Sequence, residues 1–315
     1  MIKFWQKKNL ASFLLLPFSL AYWFFAIVDS IFSREERFDK KIICVGNVVA
    51  GGAGKTPVSI ALAKLLISKG RKVCFAVRNY KSNSGGKFHI TSNSKYNSAV
   101  VEEAFEMCKI ADVYIAQTRL GSIRYAAKNS KADIIIVDDG LQNYRFYKDK
   151  AILVVDGLQK FGNNFIIPSG PLREFISSAI KKVDAIVVVN SEDKNFLRCL
   201  KKYGKPLITA HSDSKVDLES RLFAFCGIGF PEKFYEPLKH LGAELVGTKN
   251  YPDHYQYTNN DIEYLKKVAK DKNAKLVTTR KDAIKIHDKK DILVVEYELK
   301  IENDDNLLKV LNEKN

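Results

Sequence analysis

The sequence predicts an α/β protein with a largely parallel sheet, a second and smaller α/β domain, and an apolar helix at the amino terminus. Three observations support this prediction. Short apolar, β-branched runs alternate with stretches of helical periodicity over the first two thirds of the chain. A shorter alternation follows a polar stretch at residues 211–220, and an uncharged segment precedes the first run. We therefore divide the chain into an amino-terminal helix (1–32), a core domain (33–215) and a carboxyl-terminal domain (216–315).

The amino-terminal segment has nineteen residues without a charge, from Leu10 to Val28. At about 1.5 Å per residue, a helix of this length can cross the apolar part of a bilayer. Basic residues flank both ends, and Trp5, Tyr22 and Trp23 are of the kinds that prefer the membrane–water boundary. A proline and two serines weaken a spanning helix, so the segment spans the membrane, lies in its interface, or is buried in the protein's own core. No signal-peptide cleavage site follows, so we expect no cleaved signal peptide. Of the remaining possibilities we favour a membrane-associating helix.

A glycine-rich turn joins the first predicted strand, residues 42–45, to a helix that begins at Pro57. Such a turn gathers backbone N–H groups at a helix N-terminus, where the helix dipole favours negative charge. The turn is similar to the P-loop that holds nucleotide phosphates, although the strict pattern has glycine where this chain has Val49. Gly51 and Gly52 are expected to supply positive φ angles. The sequence therefore predicts a P-loop-type core; the alternative is an ordinary turn with an incidental lysine.

The P-loop interpretation places nucleotide phosphates on one segment and a magnesium ion beside it. Lys55 would reach the terminal phosphates, and the Thr56 hydroxyl would bind Mg²⁺. The strand at 134–137 ends in Asp138 and Asp139, and Asp138 is the predicted second ligand of the metal. An acidic pair after a strand can also be a helix cap or a turn. The predicted nucleotide-binding residues are Val49, Ala50, Gly51, Gly52, Ala53, Gly54, Lys55 and Thr56.

The remaining elements follow from the same patterns. Residues 79–97 are polar, which predicts a long mobile loop near the strand ends. The core domain is predicted to have further strands at 73–77, 151–155 and 185–189. For the second domain we predict strands at 222–226, 276–278 and 292–295, and helices at 231–241 and 259–269.

Two arginines are candidates for binding phosphate. Arg78 ends the second predicted strand, and Arg173 lies in the segment Pro-Ser-Gly-Pro-Leu-Arg-Glu at 168–174. A guanidinium group has a planar set of donors that fits two phosphate oxygens. Each arginine could instead form a surface or structural ion pair. We assign both to substrate binding.

Charge and cysteine content limit the possible functions. The chain has 51 Lys and Arg against 36 Asp and Glu, a net charge of +15, which indicates an anionic partner: nucleic acid, an acidic membrane surface or a phosphorylated substrate. Its five cysteines include no Cys-x-x-Cys pair, which argues against a disulfide framework and a zinc site and favours a reducing cytosol. Without a zinc-finger, RNA-recognition or helix-turn-helix signature, we expect no nucleic-acid partner.

Six segments occur in an order that is known from one family. They are 45–47 with 51–57, 138–142, 167–174, 225–229, 251–254 and 278–283. In these segments the chain resembles the tetraacyldisaccharide 4′-kinases of lipid A synthesis. The resemblance implies transfer of the γ-phosphate of ATP, with Mg²⁺, to the 4′-hydroxyl of an acylated glucosamine disaccharide 1-phosphate, which gives lipid IVA. It also implies an enzyme bound to the lipid surface of the bacterial inner membrane, at its cytoplasmic face.

The resemblance also supplies the catalytic candidates. The family usually has Gly-Asp-Glu where this chain has Val-Glu-Glu at 101–103, and its aspartate is the proposed base acting with the histidine of an Asp-His pair. Glu102 or Asp139, together with His254, is therefore expected to orient and deprotonate the sugar hydroxyl. Three further positions depart from the family on the substrate side: Asn79 replaces glycine, Asn143 replaces histidine and Arg280 replaces glutamate.

A different class of function uses the same motif. A membrane-associated nucleotide switch would bind ATP or GTP on the P-loop and hydrolyse it without phosphorylating a metabolite. Labelled ATP distinguishes the two, because a kinase moves the label to lipid whereas a switch releases only inorganic phosphate.

Overall fold

The computed structural model describes residues 3–80, 86–94, 100–214, 221–252, 255–295 and 297–312, without the side chains of residues 3, 102, 214 and 240. The chain forms two compact units. One comprises Met1–His211 together with Ile301–Asn315, and the other comprises Ser212–Lys300.

The helices and strands of the first part of the chain alternate as the sequence predicts. Before the first strand lie α1 (Leu10–Leu14) and α2 (Leu16–Phe32). The alternating part contains β1 (Lys41–Gly46), α3 (Lys55–Ser68), β2 (Val73–Arg78), β3 (Phe88–Ile90), α4 (Glu102–Met107), β4 (Val113–Ala116), α5 (Arg119–Asn129), β5 (Ile134–Asp138), β6 (Lys150–Asp156), α6 (Ile176–Lys181), β7 (Ala185–Val189), α7 (Lys194–Lys201) and β8 (Leu207–Ser214).

The second part of the chain has a similar alternation. It contains β9 (Arg221–Cys226), α8 (Glu232–His240), β10 (Glu244–Asn250), α9 (Asn259–Asp271), β11 (Lys275–Thr279), α10 (Arg280–Ala283), β12 (Ile292–Val295), β13 (Tyr297–Ile301) and α11 (Asp304–Val310).

A nine-stranded sheet has the order β13-β8-β7-β6-β1-β5-β2-β4-β3. The described pairings from β8 through β4 are parallel, and β3 pairs antiparallel with β4. Central strands such as β5 and β7 are buried along most of their length, which explains their uninterrupted β-branched sequences. In the register, Val45 of β1 lies opposite both Asp138 of β5 and Ile152 of β6. The carboxyl ends of these three strands therefore meet at one edge.

The second unit has its own parallel sheet, in the order β10-β9-β11-β12. Its core includes the fully buried rings of Phe225 and Phe234. The buried carboxylate of Asp282 accepts hydrogen bonds from the Gly227 N–H (3.1 Å) and the Thr279 hydroxyl (2.7 Å). Two of the segments that carry the family resemblance, 225–229 and 278–283, are thus joined by this carboxylate.

The carboxyl terminus differs from the sequence-based division, which assigns all of 216–315 to the second domain. The structure places the chain from Ile301 onward with the first unit. There the Lys41 Nζ donates to the Leu311 carbonyl oxygen (2.5 Å), and Leu307, Leu308 and Leu311 are fully buried. The apolar positions of α11 explain why the chain returns: they need a core to cover them.

The apolar amino-terminal segment forms two helices where the sequence predicts one. The helix is interrupted at Leu15, which lies between α1 and α2. Pro17 lies in the first turn of α2, a position that a proline tolerates. Within the described residues, no helix has the length and apolar character needed to cross a membrane. Helices α1 and α2 nevertheless expose many large apolar side chains: Leu10, Phe13, Leu14, Phe18, Leu20, Tyr22, Trp23, Phe24, Phe25, Ile31 and Phe32.

The predicted loop at 79–97 contains a short strand. Phe88–Ile90 forms β3 and pairs antiparallel with β4, an element that the sequence analysis did not identify. Residues 81–85 and 95–97 of this loop lie outside the described residues.

Candidate functional site: the glycine-rich loop and its edge of the sheet

The glycine-rich loop runs from the end of β1 to Lys55, the first residue of α3. The helix therefore begins two residues before Pro57, the predicted start, because Gly54 adopts a left-handed conformation (φ 81°) as its N-cap. The second positive φ angle of the loop belongs to Gly51 (110°) and not to Gly52. Backbone N–H groups of the first helical turn have no partner within the helix, so this terminus is suited to an anion.

Val49 does not leave the loop unsupported. It is 5% exposed, packs in the core and forms an antiparallel bridge with Leu172. The fully buried Asn47 side chain donates to the Val49 carbonyl oxygen (2.7 Å). Gly46 is required for close packing, since a Cβ there would lie 2.5 Å from the Cβ of Leu141. These contacts hold the start of the loop on the core.

Lys55 points back over the loop. Its Nζ lies 3.2 Å from Asn47 Oδ1, 3.5 Å from the Gly51 carbonyl oxygen and 3.6 Å from Asp139 Oδ1. Burial lowers the pKa of Lys55, and Asp139 opposes that effect. The ammonium group is thus placed where terminal phosphates of a bound nucleotide would lie in a P-loop.

Asp138 ends β5 beside the start of α3. Its two carboxylate oxygens accept hydrogen bonds from the hydroxyls of Thr56 and Ser59, each at 3.0 Å. Burial raises the pKa of the Asp138 carboxyl, an effect that Lys55 opposes. The hydroxyl of Thr56 and the carboxylate of Asp138 are hard oxygen donors of the kind that Mg²⁺ prefers, so these residues fit the metal that the sequence predicts.

Asp139 is surrounded by three cationic side chains. Its carboxylate lies 2.7 Å from Arg173 Nη1, 2.9 Å from Arg119 Nη2 and 3.6 Å from Lys55 Nζ. Asp139 has a positive φ of 55°, a conformation that aspartate tolerates better than most residues. Burial favours a higher pKa for this carboxyl, but Lys55, Arg173 and Arg119 outweigh it, and the pKa lies below its ordinary value. Asp139 therefore collects positive charge around a single point.

Arg119 was missed by the sequence analysis. It is the first residue of α5, whose N-cap is Thr118. It lies beyond the carboxyl end of β4, and Arg78 lies at the carboxyl end of the neighbouring parallel strand β2. Burial lowers the pKa of its guanidinium group. Its buried Nε has no hydrogen-bond partner among the residues that the structure describes. Arg119 lies three residues beyond the end of β4, a strand that the sequence analysis did not predict, so its place at the same edge as Arg78 was not recognised.

Arg173 and Gln142 link the loop to the segment that follows β6. The Arg173 N–H donates to the Val48 carbonyl oxygen (2.7 Å), and its side chain reaches both Asp139 and Gln142 Oε1 (3.4 Å). Gln142 Nε2 donates to the Asn47 carbonyl oxygen (2.9 Å) and to Glu174 Oε1 (3.1 Å). The fold thus brings together segments 45–57, 138–142 and 167–174, which the sequence analysis listed separately.

The comparison with known proteins now identifies the family. A sequence profile described as LpxK, tetraacyldisaccharide-1-P 4′-kinase, matches residues 11–315. The chain belongs to the LpxK family. The resemblance inferred from the six sequence segments is therefore confirmed.

Individual LpxK relatives match the chain from end to end. The tetraacyldisaccharide 4′-kinase of Rickettsia felis is 40% identical over 316 residues, covering 99% of this chain and 95% of that protein. The tetraacyldisaccharide 4′-kinase of Rickettsia canadensis is 39% identical over 326 residues, with 99% and 95% coverage. The crystal structure of an "apo" form of LpxK from Aquifex aeolicus in complex with ATP has a TM-score of 0.76 and 26% sequence identity, covering 96% of this chain and 98% of that one. The predicted α/β fold with a largely parallel sheet is confirmed by this match.

Some predicted LpxK site residues lie outside this cluster or outside the described part of the chain. Arg78 is exposed at the end of β2. Burial is the main cause of the lowered pKa of the Arg119 guanidinium group; Asp139 opposes it, and the charge of Arg78 lowers that pKa further. Glu102 begins α4, and its side chain lies outside the described residues, as does His254. Their assignment as catalytic residues stays a prediction.

Proposed function

We propose that this chain is a tetraacyldisaccharide 4′-kinase, which transfers the γ-phosphate of ATP to the 4′-hydroxyl of an acylated glucosamine disaccharide 1-phosphate to give lipid IVA. The proposal is supported by one arrangement above all: Lys55, Arg119 and Arg173 converge on Asp139 beside the glycine-rich loop. A polyphosphate is the ligand whose charge matches this excess of cations.

The residues of the loop have distinct parts in this proposal. Backbone N–H groups at the start of α3 and the Lys55 ammonium group bind the β- and γ-phosphates. The Arg119 and Arg173 guanidinium groups stabilise negative charge on the transferring phosphoryl group. Most of the catalysis of phosphoryl transfer is alignment and charge stabilisation, so these fixed cations supply the main effect.

A magnesium ion would be held by the Thr56 hydroxyl and the Asp138 carboxylate, and it supplies neutralisation of phosphate charge when it is bound. Ser59, which shares the Asp138 carboxylate with Thr56, orients that carboxylate.

The low pKa of Asp139 bears on the choice of catalytic base. A carboxylate that is paired with three cations is a weak proton acceptor, so we assign Asp139 the task of organising the cations. Glu102 and His254 then remain as the candidates for orienting and deprotonating the acceptor hydroxyl.

The exposed side chains of α1 and α2 support a location at a lipid surface. Contiguous exposed apolar residues of this size mark interaction sites, and the acylated acceptor resides in a bilayer. We assign this surface to the cytoplasmic face of the bacterial inner membrane, where cytosolic ATP is available.

The proposal is tested with the purified full-length chain, Mg²⁺, [γ-³²P]ATP and the disaccharide 1-phosphate in detergent. Label is expected in the lipid product, and Lys55→Ala is expected to lower the transfer by at least about 100-fold. Lys69→Ala, which changes an exposed lysine at the end of the same helix, is the matched control. Release of inorganic phosphate without labelled lipid would instead favour the nucleotide switch.

A further inference from the structure

The contact between the amino-terminal helices and the rest of the first unit is made by buried polar groups, not only by apolar ones. Ser12 and Ser19 are the buried residues of α1 and α2, and they meet Asn163 and Ser169, which are also buried. A lipid-binding surface needs exposed apolar side chains, and it does not need buried hydroxyls. Since burying a polar group is unfavourable unless it is hydrogen-bonded, this network requires a separate explanation.

The network attaches the helices to one stretch of chain, residues 163–173, which we call the strap. The Ser19 and Ser169 hydroxyl oxygens lie 2.7 Å apart, and the Ser19 hydroxyl donates to the Ile166 carbonyl oxygen (2.8 Å). Asn163 Nδ2 donates to Ser12 Oγ (3.1 Å) and to the Ser169 carbonyl oxygen (2.9 Å).

Additional contacts reinforce this attachment. The indole N–H of Trp5 donates to the Pro168 carbonyl oxygen (2.9 Å), and the rings of Phe13 and Phe165 pack edge to face. Gly162 lies where the amino-terminal segment meets the strap: a Cβ there would be 2.6 Å from the Trp5 carbonyl oxygen and 2.7 Å from Pro171 Cγ. A side chain at Gly162 would therefore clash with both Trp5 and Pro171.

The other side of the strap lies on the phosphate-binding loop. The Ala50 N–H donates to the Pro171 carbonyl oxygen (2.7 Å), and the Arg173 N–H donates to the Val48 carbonyl oxygen (2.7 Å). Leu172, between these two bonds, bridges Val49. The strap thus pairs with the loop as a short strand would, and its last residue carries the guanidinium group that reaches Asp139 (2.7 Å).

We infer that Ser19 and its buried partners are positioning residues for the strap, so that the amino-terminal helices set the affinity of the site for ATP in addition to any contact they make with lipid. The inference rests on the proposed function for the identity of the nucleotide. It differs from a purely anchoring role in one respect: it requires an effect on ATP binding when no membrane and no acceptor is present.

The test is the dissociation constant of Mg-ATP, measured by titration calorimetry on the full-length chain in detergent without vesicles or acceptor. Ser19→Ala is expected to weaken binding about five-fold, since it removes hydrogen bonds that fix the strap. Ser30→Ala is the matched control, because Ser30 lies on the same helix and its hydroxyl donates within that helix, to the Ile27 carbonyl oxygen (2.7 Å). It is expected to bind ATP as the wild type does.

A second comparison separates positioning from a general loss of structure. If Ser19 acts through Arg173, then adding Ser19→Ala to Arg173→Ala is expected to change the dissociation constant by less than about two-fold. Trp5→Phe removes one donor to the strap and retains a smaller aromatic ring, so it provides a milder variant with a smaller loss of affinity should Ser19→Ala fold poorly. Wild-type ATP affinity in folded Ser19→Ala and Trp5→Phe, or an undiminished effect in the Arg173→Ala background, would overturn the inference.

Labelled phosphate transfer to the disaccharide is measured on the same preparations. If the wild type binds ATP but transfers no label to the disaccharide, the proposed kinase function is contradicted and the positioning role is not. A reduced ATP affinity in Ser19→Ala would still support the positioning role in that case.

Discussion

Arg119 Nη2 and Asp139 Oδ2 lie 2.9 Å apart, which joins the start of α5 to the end of β5. The same carboxylate holds Arg173, so two guanidinium groups are kept near each other despite their like charge. The buried Nε of Arg119 has no hydrogen-bond partner among the residues that the structure describes. Asp139 therefore prepares a pair of arginines that would otherwise repel one another.

Removal of Arg119 tests this view of the site. Arg119→Ala is expected to lower kcat/KM for phosphate transfer by about 100-fold, because a fixed donor to the transferring group is lost. Arg119→Lys should recover only part of the activity, since an ammonium group lacks the planar set of donors. The control is Arg124→Ala, which removes an exposed arginine of the same helix that pairs with Glu36. Equal rates for Arg119→Ala and Arg124→Ala would exclude a role for Arg119 in the site.

Asp138→Asn is expected to separate activity from stability. Burial raises the pKa of this carboxyl, so its charge is unfavourable for the fold, while the proposed Mg²⁺ site requires that charge. We expect a loss of transfer of at least about 100-fold with no decrease in the melting temperature. Thermal unfolding followed by circular dichroism, alongside the transfer assay, provides the comparison. A large fall in melting temperature would show that the carboxylate stabilises the fold.

The ion pairs of Asp139 predict a dependence of stability on pH. Since the folded pKa lies below the ordinary value of 3.8, the unfolded chain takes up this proton first as the pH falls. The stabilisation is therefore complete above about pH 5 and is lost as the pH decreases through 3.8 to the folded pKa. We expect Asp139→Asn to be less stable than the wild type by about 1 to 2 kcal/mol at pH 6, and the difference to shrink towards pH 3.

Urea denaturation at a series of pH values measures this difference. A difference that stays constant between pH 6 and pH 3 would show that Asp139 does not have the lowered pKa that its neighbours impose.

Two glycines of the glycine-rich segment are expected to respond differently to alanine. Gly46→Ala places a Cβ 2.5 Å from that of Leu141, so we expect a loss of about 2 to 3 kcal/mol in unfolding free energy. At Gly52 a Cβ would meet no atom within 4 Å, and φ is not positive there. Gly52→Ala should therefore keep the stability of the wild type but bind ATP more weakly, because phosphate approaches the loop backbone closely. Calorimetry and urea denaturation distinguish the two effects, and equal destabilisation by both variants would contradict this view.

The sequence predicted those elements whose burial leaves a clear pattern. Strand β7 has the bounds predicted for it, because a strand buried on both faces is a continuous β-branched run. Strands β3, β4, β8, β10 and β13 were missed. β3 and β4 have only three and four residues and β10 is largely exposed, so none of these three has a long continuous β-branched run. The single predicted amino-terminal helix was wrong in one detail, the break at Leu15.

The site was predicted where chemistry is encoded by neighbouring residues. Lys55 and Thr56 adjoin the glycines, and Asp138 follows a strand, so their proximity could be inferred from the order of elements. Arg119 lies twenty residues before Asp139, and only the placement of β4 and β5 in the same sheet brings the two side chains together. The roles of Glu102 and His254 stay predictions.

The bridge between Val49 and Leu172 has an evolutionary consequence. A valine at this point of the loop fills space in the core that a glycine would leave empty, and the residue opposite it must match that volume. Substitutions at the two positions should therefore covary among homologous chains, so that drift in this phosphate-binding motif is tied to a residue more than a hundred positions further along the polypeptide.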